Sequence, residues 1–195
     1  MRAMEPRLFK TAAAWRGWLA RHGGQTREIW LTYYKKGSGK TSVAYSEALD
    51  EALCFGWIDS TINRLDDERY MQRWTPRKPT SVWSAANKAR IRRLTAEGRM
   101  AEPGKATVRI AKRNGSWDKL NDIDRIDRGG AAPEEVSRAI AAQPELAARF
   151  EALPASKKKM LTYWIASAKR PETKARRIGE LADIIATGRT PGFKK

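Results

Sequence analysis

The sequence predicts an α+β fold: a small antiparallel β-sheet flanked by helices, with an all-helical C-terminal region. Three observations predict it. Glu28–Tyr34, Trp57–Leu65 and Arg69–Thr75 are rich in β-branched and aromatic residues, as strands are. Between them lie segments whose apolar residues recur at helical spacing. From Pro133 onward only helical periods occur, punctuated by Pro144 and Pro171. The expected organisation is an α+β domain over 1–113, a linker over 114–132 and a helical region over 133–195.

The first helix is predicted from Thr11 to His22, because Trp15, Trp18, Leu19 and His22 share one face and Gly23-Gly24 ends it. The strand Glu28–Tyr34 follows, then the loop KKGSGKTS. That loop resembles part of a phosphate-binding P-loop, but the first glycine of the pattern falls on Tyr34 and no helix opens after it. A second helix is expected from Ser46 as cap, with Ala48, Leu49, Ala52, Leu53 and Phe55 inward and Gly56 as its stop. Cys54 lies off that stripe, beside Asp50 and Glu51, whose charges oppose thiolate formation.

Trp57–Leu65 and Arg69–Thr75 read as a β-hairpin, with Asp66-Asp67 supplying the turn. Pro76 and Pro79 offer no N–H to continue a ladder. A helix is predicted over Val82–Glu97, with Ser81 or Ser84 as its cap and Trp83, Asn87, Ile91 and Leu94 on one face. A short basic amphipathic piece runs from about Pro103 to Lys112. Residues 114–132 are polar and Gly-containing, with Trp117 and Leu120 as anchors.

In the helical region Glu134 and Glu135 suit a helix start. Ser156 is expected to cap a helix with Met160, Leu161, Trp164, Ile165 and Ala168 inward. A last helix from Pro171 should bury Ala175, Ile178, Leu181, Ala182 and Ile185 and stop at Gly188. Lys157, Lys158, Lys159, Lys169, Arg170, Lys174, Arg176 and Arg177 gather near the junction of these two helices.

Charge narrows the function classes. The 195 residues carry 39 Lys+Arg against 22 Asp+Glu, a net +17. Residues 1–68 hold ten basic and nine acidic side chains, whereas 69–119 hold fourteen basic and three acidic, or +11. A field of that sign attracts polyanions: nucleic acid, anionic lipid head groups or acidic proteins. A solvated basic surface is the plain alternative.

One cysteine excludes an internal disulfide, and one Cys with one His cannot build a Cys/His zinc cage. Neither a metal nor a cofactor is expected. No apolar run is long enough to span a membrane, and MRAMEPRLFKTAAAW has no signal-peptide core, so a cytoplasmic location is expected.

The candidate site lies between the hairpin and the helix that follows it. Arg77 and Lys78 supply charge, and Ser81 or Ser84 with the free N–H groups of the helix start supply directed donors. Trp57, Trp74 and Trp83 form a wall, and Asp59 orients the cations. Asn87 is either a ligand-facing donor or a satisfied buried amide. Basic and aromatic residues interleaved on a strand also suit a nucleic-acid stacking surface. Cys54, His22, Asp59, Tyr45 and Asn87 make no triad or metal set, so no catalytic residue is assigned; a pocket enclosing Asp59 and Arg77 would instead suit a small-molecule enzyme.

ALCFGWIDS (52–60), WTPRKPTSVWSAANKARIRRLTAEGRM (74–100) and YWIASAKRPETKARRIGELADIIATG (163–188) resemble the bacterial YdeI/OmpD-associated family, also labelled bacteriocin-protection proteins. The likeness extends from about Phe9 to Gly188. It implies a resistance factor against bacteriocins or cationic antimicrobial peptides and, in one member, association with an outer-membrane porin. It brings no catalytic residues, and the family is described as periplasmic.

Overall fold

The computed structural model describes residues 6–124, 134–168 and 170–192. Pro133 and Lys169 lie outside them, as does the end of the expected linker. The chain divides into two compact units, Met1–Asp118 and Lys119–Lys195.

The N-terminal unit runs β1 (Arg7–Leu8), α1 (Ala12–His22), β2 (Ile29–Tyr34), α2 (Tyr45–Cys54), β3 (Trp57–Arg64), β4 (Arg69–Pro76), α3 (Ala85–Ala96) and α4 (Glu102–Arg113). Its sheet has the order β1-β2-β4-β3. The hairpin β3–β4 forms as the turn residues predict, and β4 pairs antiparallel with β2 on its other side. The sheet also has a fourth strand, because β1 adds a two-residue parallel pairing to β2. Pro76 closes β4 opposite Trp57, at the strand end where its missing N–H costs least.

Alternation along the strands sorts the two faces. Ile29, Leu31 and Tyr33 of β2 stand beside Trp74, Gln72 and Tyr70 of β4, and this side is covered by α1 and α2. Trp15 is fully buried there, and its indole donates to the Ala48 carbonyl at 3.1 Å. Trp15 stacks on Trp18 at 5.3 Å, and Trp18 meets Trp57 edge-on at 6.0 Å. Such clusters concentrate apolar burial in few residues, and truncating one buried Trp costs about 3–5 kcal/mol. His22, expected on the same stripe, is exposed at the end of α1.

Helix starts follow the side chain that best satisfies free N–H groups. Thr11 caps α1 and Ser84 caps α3, each accepting from the residue three positions on. The expected start at Val82 therefore moves to Ala85. Ser46 is not the cap of α2. Ala44 takes that position, and Glu47 reaches back to the Ala44 N–H at 3.2 Å. Cys54, expected off the buried stripe, is fully buried within the core.

Two buried carboxylates tie the helices together. Glu51 accepts from Arg16 at 2.7 Å and Arg99 at 2.6 Å, while Asp50 accepts from Arg90 at 2.6 Å and Arg93 at 2.5 Å. The Glu51 side chain is 6% exposed, against 37% and 34% for its two partners. Glu51→Gln leaves two cations facing a neutral amide. It should destabilise the unit by about 2–3 kcal/mol, below the usual 3–5 kcal/mol for a broken buried pair because the guanidinium groups keep contact with water. Chemical denaturation of the variant checks this.

The C-terminal unit contains α5 (Asn121–Asp124), α6 (Glu134–Ala141), α7 (Pro144–Glu151), α8 (Ala155–Ala166), α9 (Pro171–Gly179) and α10 (Leu181–Thr187). Val136, Ile140, Leu146, Phe150, Leu161, Trp164, Ile165, Leu181 and Ile184 make its core. Pro154, rather than Ser156, occupies the position before α8. The single helix expected from Pro171 breaks at Glu180. The break resets the phase, so Ile184 turns inward and Ala182 outward. Arg177, expected within a surface cluster, is buried against Trp164 and donates to the Ser167 hydroxyl at 3.0 Å.

Candidate functional site

Arg77 follows directly on β4, and its backbone N–H is fixed by the Gly56 carbonyl at 2.8 Å. Gly56 makes that approach possible. It turns the chain from α2 into β3 at φ +75°, and a Cβ there would come within 2.4 Å of the Thr107 hydroxyl. With its backbone so placed, the Arg77 side chain is 9% exposed. Its guanidinium lies 3.8 Å over the Trp83 ring, and Nη2 donates to the Val82 carbonyl at 2.6 Å. Nε and Nη1 are buried without a partner.

A buried cation with two idle donors is costly. Burial lowers the Arg77 pKa to about 10, and the charge of Asp59 offsets part of that cost. A lowering of this size corresponds to roughly 3 kcal/mol against keeping the charge. The site thus holds a desolvated cation with two donors unused.

Asp59 does not pair with Arg77 directly. It is half-buried, and its Oδ2 accepts from the Tyr45 hydroxyl at 3.1 Å and from Gln72 Nε2 at 2.7 Å. Beside these groups, Gln72 Oε1, the Tyr33 hydroxyl and the Trp74 indole N–H are all buried and unpartnered. The Trp74 N–H is near enough to Tyr33 to favour its ionised form, yet the two do not meet hydrogen-bond geometry. The inner face of the sheet therefore carries a polar patch inside an aromatic frame, with Tyr33 stacked on Tyr70 at 5.1 Å and Tyr45 6.3 Å from Trp74.

The phenols titrate late. Burial pushes the Tyr33 pKa far up, and burial together with the neighbouring Asp59 carboxylate pushes Tyr45 up to about 12. An unfolded tyrosine ionises near pH 10, so between about pH 10 and 12 the unfolded chain holds fewer protons than the folded one. Stability is unaffected by these groups below pH 10 and falls as pH rises through that window. Phenolate absorbance is expected to lag in the folded protein and to jump when alkali unfolds it.

The remaining sequence candidates are dispersed in role. Trp57 is buried in the core against Trp18, and Trp83 is the plate beneath Arg77. Ser84 caps α3, its Oγ accepting from the Asn87 N–H at 3.3 Å. Asn87 is half-buried, and Lys88 takes the buried position beside it, its Nζ 5.7 Å from the Trp117 ring. The Ser81 N–H closes a turn onto the Lys78 carbonyl at 2.9 Å. The Lys78 side chain is exposed while that of Arg77 is turned inward, so the two cations meet different environments.

The structure adds Tyr33 and Gln72 to the site. Gln72 carried a signal in its position: it alternates with Tyr70 and Trp74, which places an amide on the buried face of a strand. Cys54 is buried and its thiol pKa raised, first by burial, with Arg16 opposing and Glu51 adding to the shift. That environment suits a structural thiol.

Among the described residues no group of His, Cys, Asp and Glu is arranged to hold a metal, and no helix is long and apolar enough to cross a membrane. No curated protein and no solved structure matches the chain. Two families do match it. One is described as Domain of unknown function (DUF8412) and covers residues 7–107; the other is described as Bacteriocin-protection, YdeI or OmpD-Associated and covers residues 131–188. The chain therefore belongs to the DUF8412 family through its N-terminal half and, through residues 131–188, carries a domain of the bacteriocin-protection, YdeI or OmpD-associated family.

Proposed function

We propose that this chain is a non-enzymatic binding protein whose N-terminal unit receives the negative group of a partner at Arg77, in a bacteriocin-protection or stress setting. The observation that carries this reading is the Arg77 guanidinium, nine-tenths buried on Trp83 with Nε and Nη1 unpartnered. A carboxylate or phosphate oxygen at those nitrogens would replace the water they lost on folding, and charge-assisted hydrogen bonds are the strong kind. The setting is supported by the description of the family matched at residues 131–188.

Calorimetric titration with inorganic phosphate and a panel of small carboxylates tests the reading. Single-site binding of at least one of them, abolished by Arg77→Ala, is the expected result. Binding that survives Arg77→Ala, or no binding across the panel, contradicts it.

Nucleic-acid binding is the second reading, and the outer sheet face favours it. There Trp30 stands opposite Arg73 and Tyr34 opposite Arg69. Both arginines, however, already face carboxylates, Arg73 that of Glu28 and Arg69 that of Asp66. A steep loss of DNA or RNA affinity with salt would support this reading, and no retention at about 50 mM salt would remove it.

A further inference from the structure

A separate groove of about 460 Å³ opens between α3 and α4 of the N-terminal unit, within the range of small-molecule sites. Its floor is apolar, formed by Ile91, Met100 and Val108, with Trp117 also in its lining. Its rim is cationic. Lys105, Arg109 and Lys112 share a stripe with Val108 at i, i+3, i+4 and i+7 along α4, and Arg92 answers from α3. The stripe from Lys105 to Lys112 is about 10 Å long at the helical rise.

All four cations are exposed. Arg109 pairs with Glu102 at 2.5 Å, but both side chains are more than 60% exposed, so that bond is weak and exchangeable. Lys112 lies 5.4 Å from the Trp117 ring. An apolar trough edged by one sign of charge is complementary to a molecule that is apolar along its length and negative at its head.

We propose that this groove binds a free, single-chain amphiphile with an anionic phosphate or carboxylate head. The hydrocarbon chain lies on Ile91, Met100 and Val108, and the head is held by Lys105, Arg109 and Arg92. A nucleotide fits less well. Its bases need an open aromatic face, and the Trp117 ring is already approached by Trp83 at 5.0 Å and by Lys88 at 5.7 Å. The proposal does not rest on the Arg77 site.

The test is a titration of the Arg77→Met protein, which lacks the other anion site, with decyl phosphate below its micelle concentration, read by tryptophan fluorescence and calorimetry. Inorganic phosphate and decyl maltoside serve as the headgroup-only and neutral-headed comparisons. Saturable one-to-one binding is expected, at least tenfold tighter than for either comparison. It should weaken at least tenfold when the double variant Lys105→Ser with Arg109→Ser is made in that protein. Both substituted residues are exposed, so the double variant should keep its fold, which circular dichroism verifies. Equal binding of decyl maltoside or of inorganic phosphate would overturn the proposal. So would an unchanged affinity in the double variant, or displacement of decyl phosphate by a short oligonucleotide.

Discussion

Gly104→Val is expected to leave the N-terminal unit unfolded at ordinary temperature. Helix α4 packs on the C-terminal end of α2 through this glycine, where a Cβ would lie 2.2 Å from the Cys54 carbonyl oxygen and 2.8 Å from that of Leu53. These atoms are backbone and cannot swing aside. The Cys54 oxygen also accepts from the Ala101 N–H at 3.1 Å, and the Leu53 oxygen from the Gly56 N–H at 3.1 Å. Relief would require α4 to move off α2, breaking the bond that starts α4 and disturbing the Gly56 turn that positions Arg77. Overpacking usually costs 1–3 kcal/mol; with rigid neighbours at this distance even Gly104→Ala should cost at least about 3 kcal/mol. Gly24→Ala, at a glycine with nothing within 4 Å, should melt close to the wild type. Thermal denaturation of the three variants beside the wild type checks the contrast.

Arg77→Met is expected to abolish phosphate and carboxylate binding beside Trp83, by at least a hundredfold, while leaving the anion-free protein about as stable as the wild type. Most buried substitutions destabilise. Here the wild-type residue carries the burden, because a desolvated cation keeps two donors idle. Methionine matches its length and can lie on the Trp83 ring, since a thioether packs well against an aromatic. The losses are one hydrogen bond to the Val82 carbonyl, worth about 1.5–3 kcal/mol to a charged donor, and the cation–π contact with Trp83, which the thioether replaces in part, against roughly 3 kcal/mol of relieved desolvation. A binding role predicts that pattern, a buried charge whose removal costs the fold little and the ligand much. Denaturation in anion-free buffer, paired with calorimetry, separates this outcome from a purely structural role, in which the variant would lose stability.

The fold was legible wherever local chemistry and tertiary packing agree. Asp66-Asp67 between two alternating runs announces the hairpin, and Thr11 and the Trp15–Trp18–Leu19 spacing announce α1. β1 gave no signal because two residues carry no period; its pairing to β2 is a tertiary event. Ser81 and Ser84 are equally good caps by residue type; in the structure it is the Ser84 hydroxyl that accepts from the Asn87 N–H.

At the site, the charge of Arg77 and the Trp83 plate could be read from the chain, but the burial of that charge could not. It depends on the Gly56 turn bringing the end of β4 against the start of α3. The Asp59–Tyr45–Gln72 set was hidden for a related reason. Its members come from β3, α2 and β4, and only strand register sets Asp59 opposite Trp74, two positions from Gln72.

We propose Arg77 as a receptor for negative charge. The most direct measurement is the melting temperature of wild type and Arg77→Met across a series of concentrations of the best-binding anion at constant ionic strength. A ligand that binds only the folded state stabilises it by about 2.7 kcal/mol at a hundred times its Kd. The wild-type melting temperature should climb with the logarithm of anion concentration, and that of the variant should stay flat. Two parallel rising lines, or two flat ones, would contradict it.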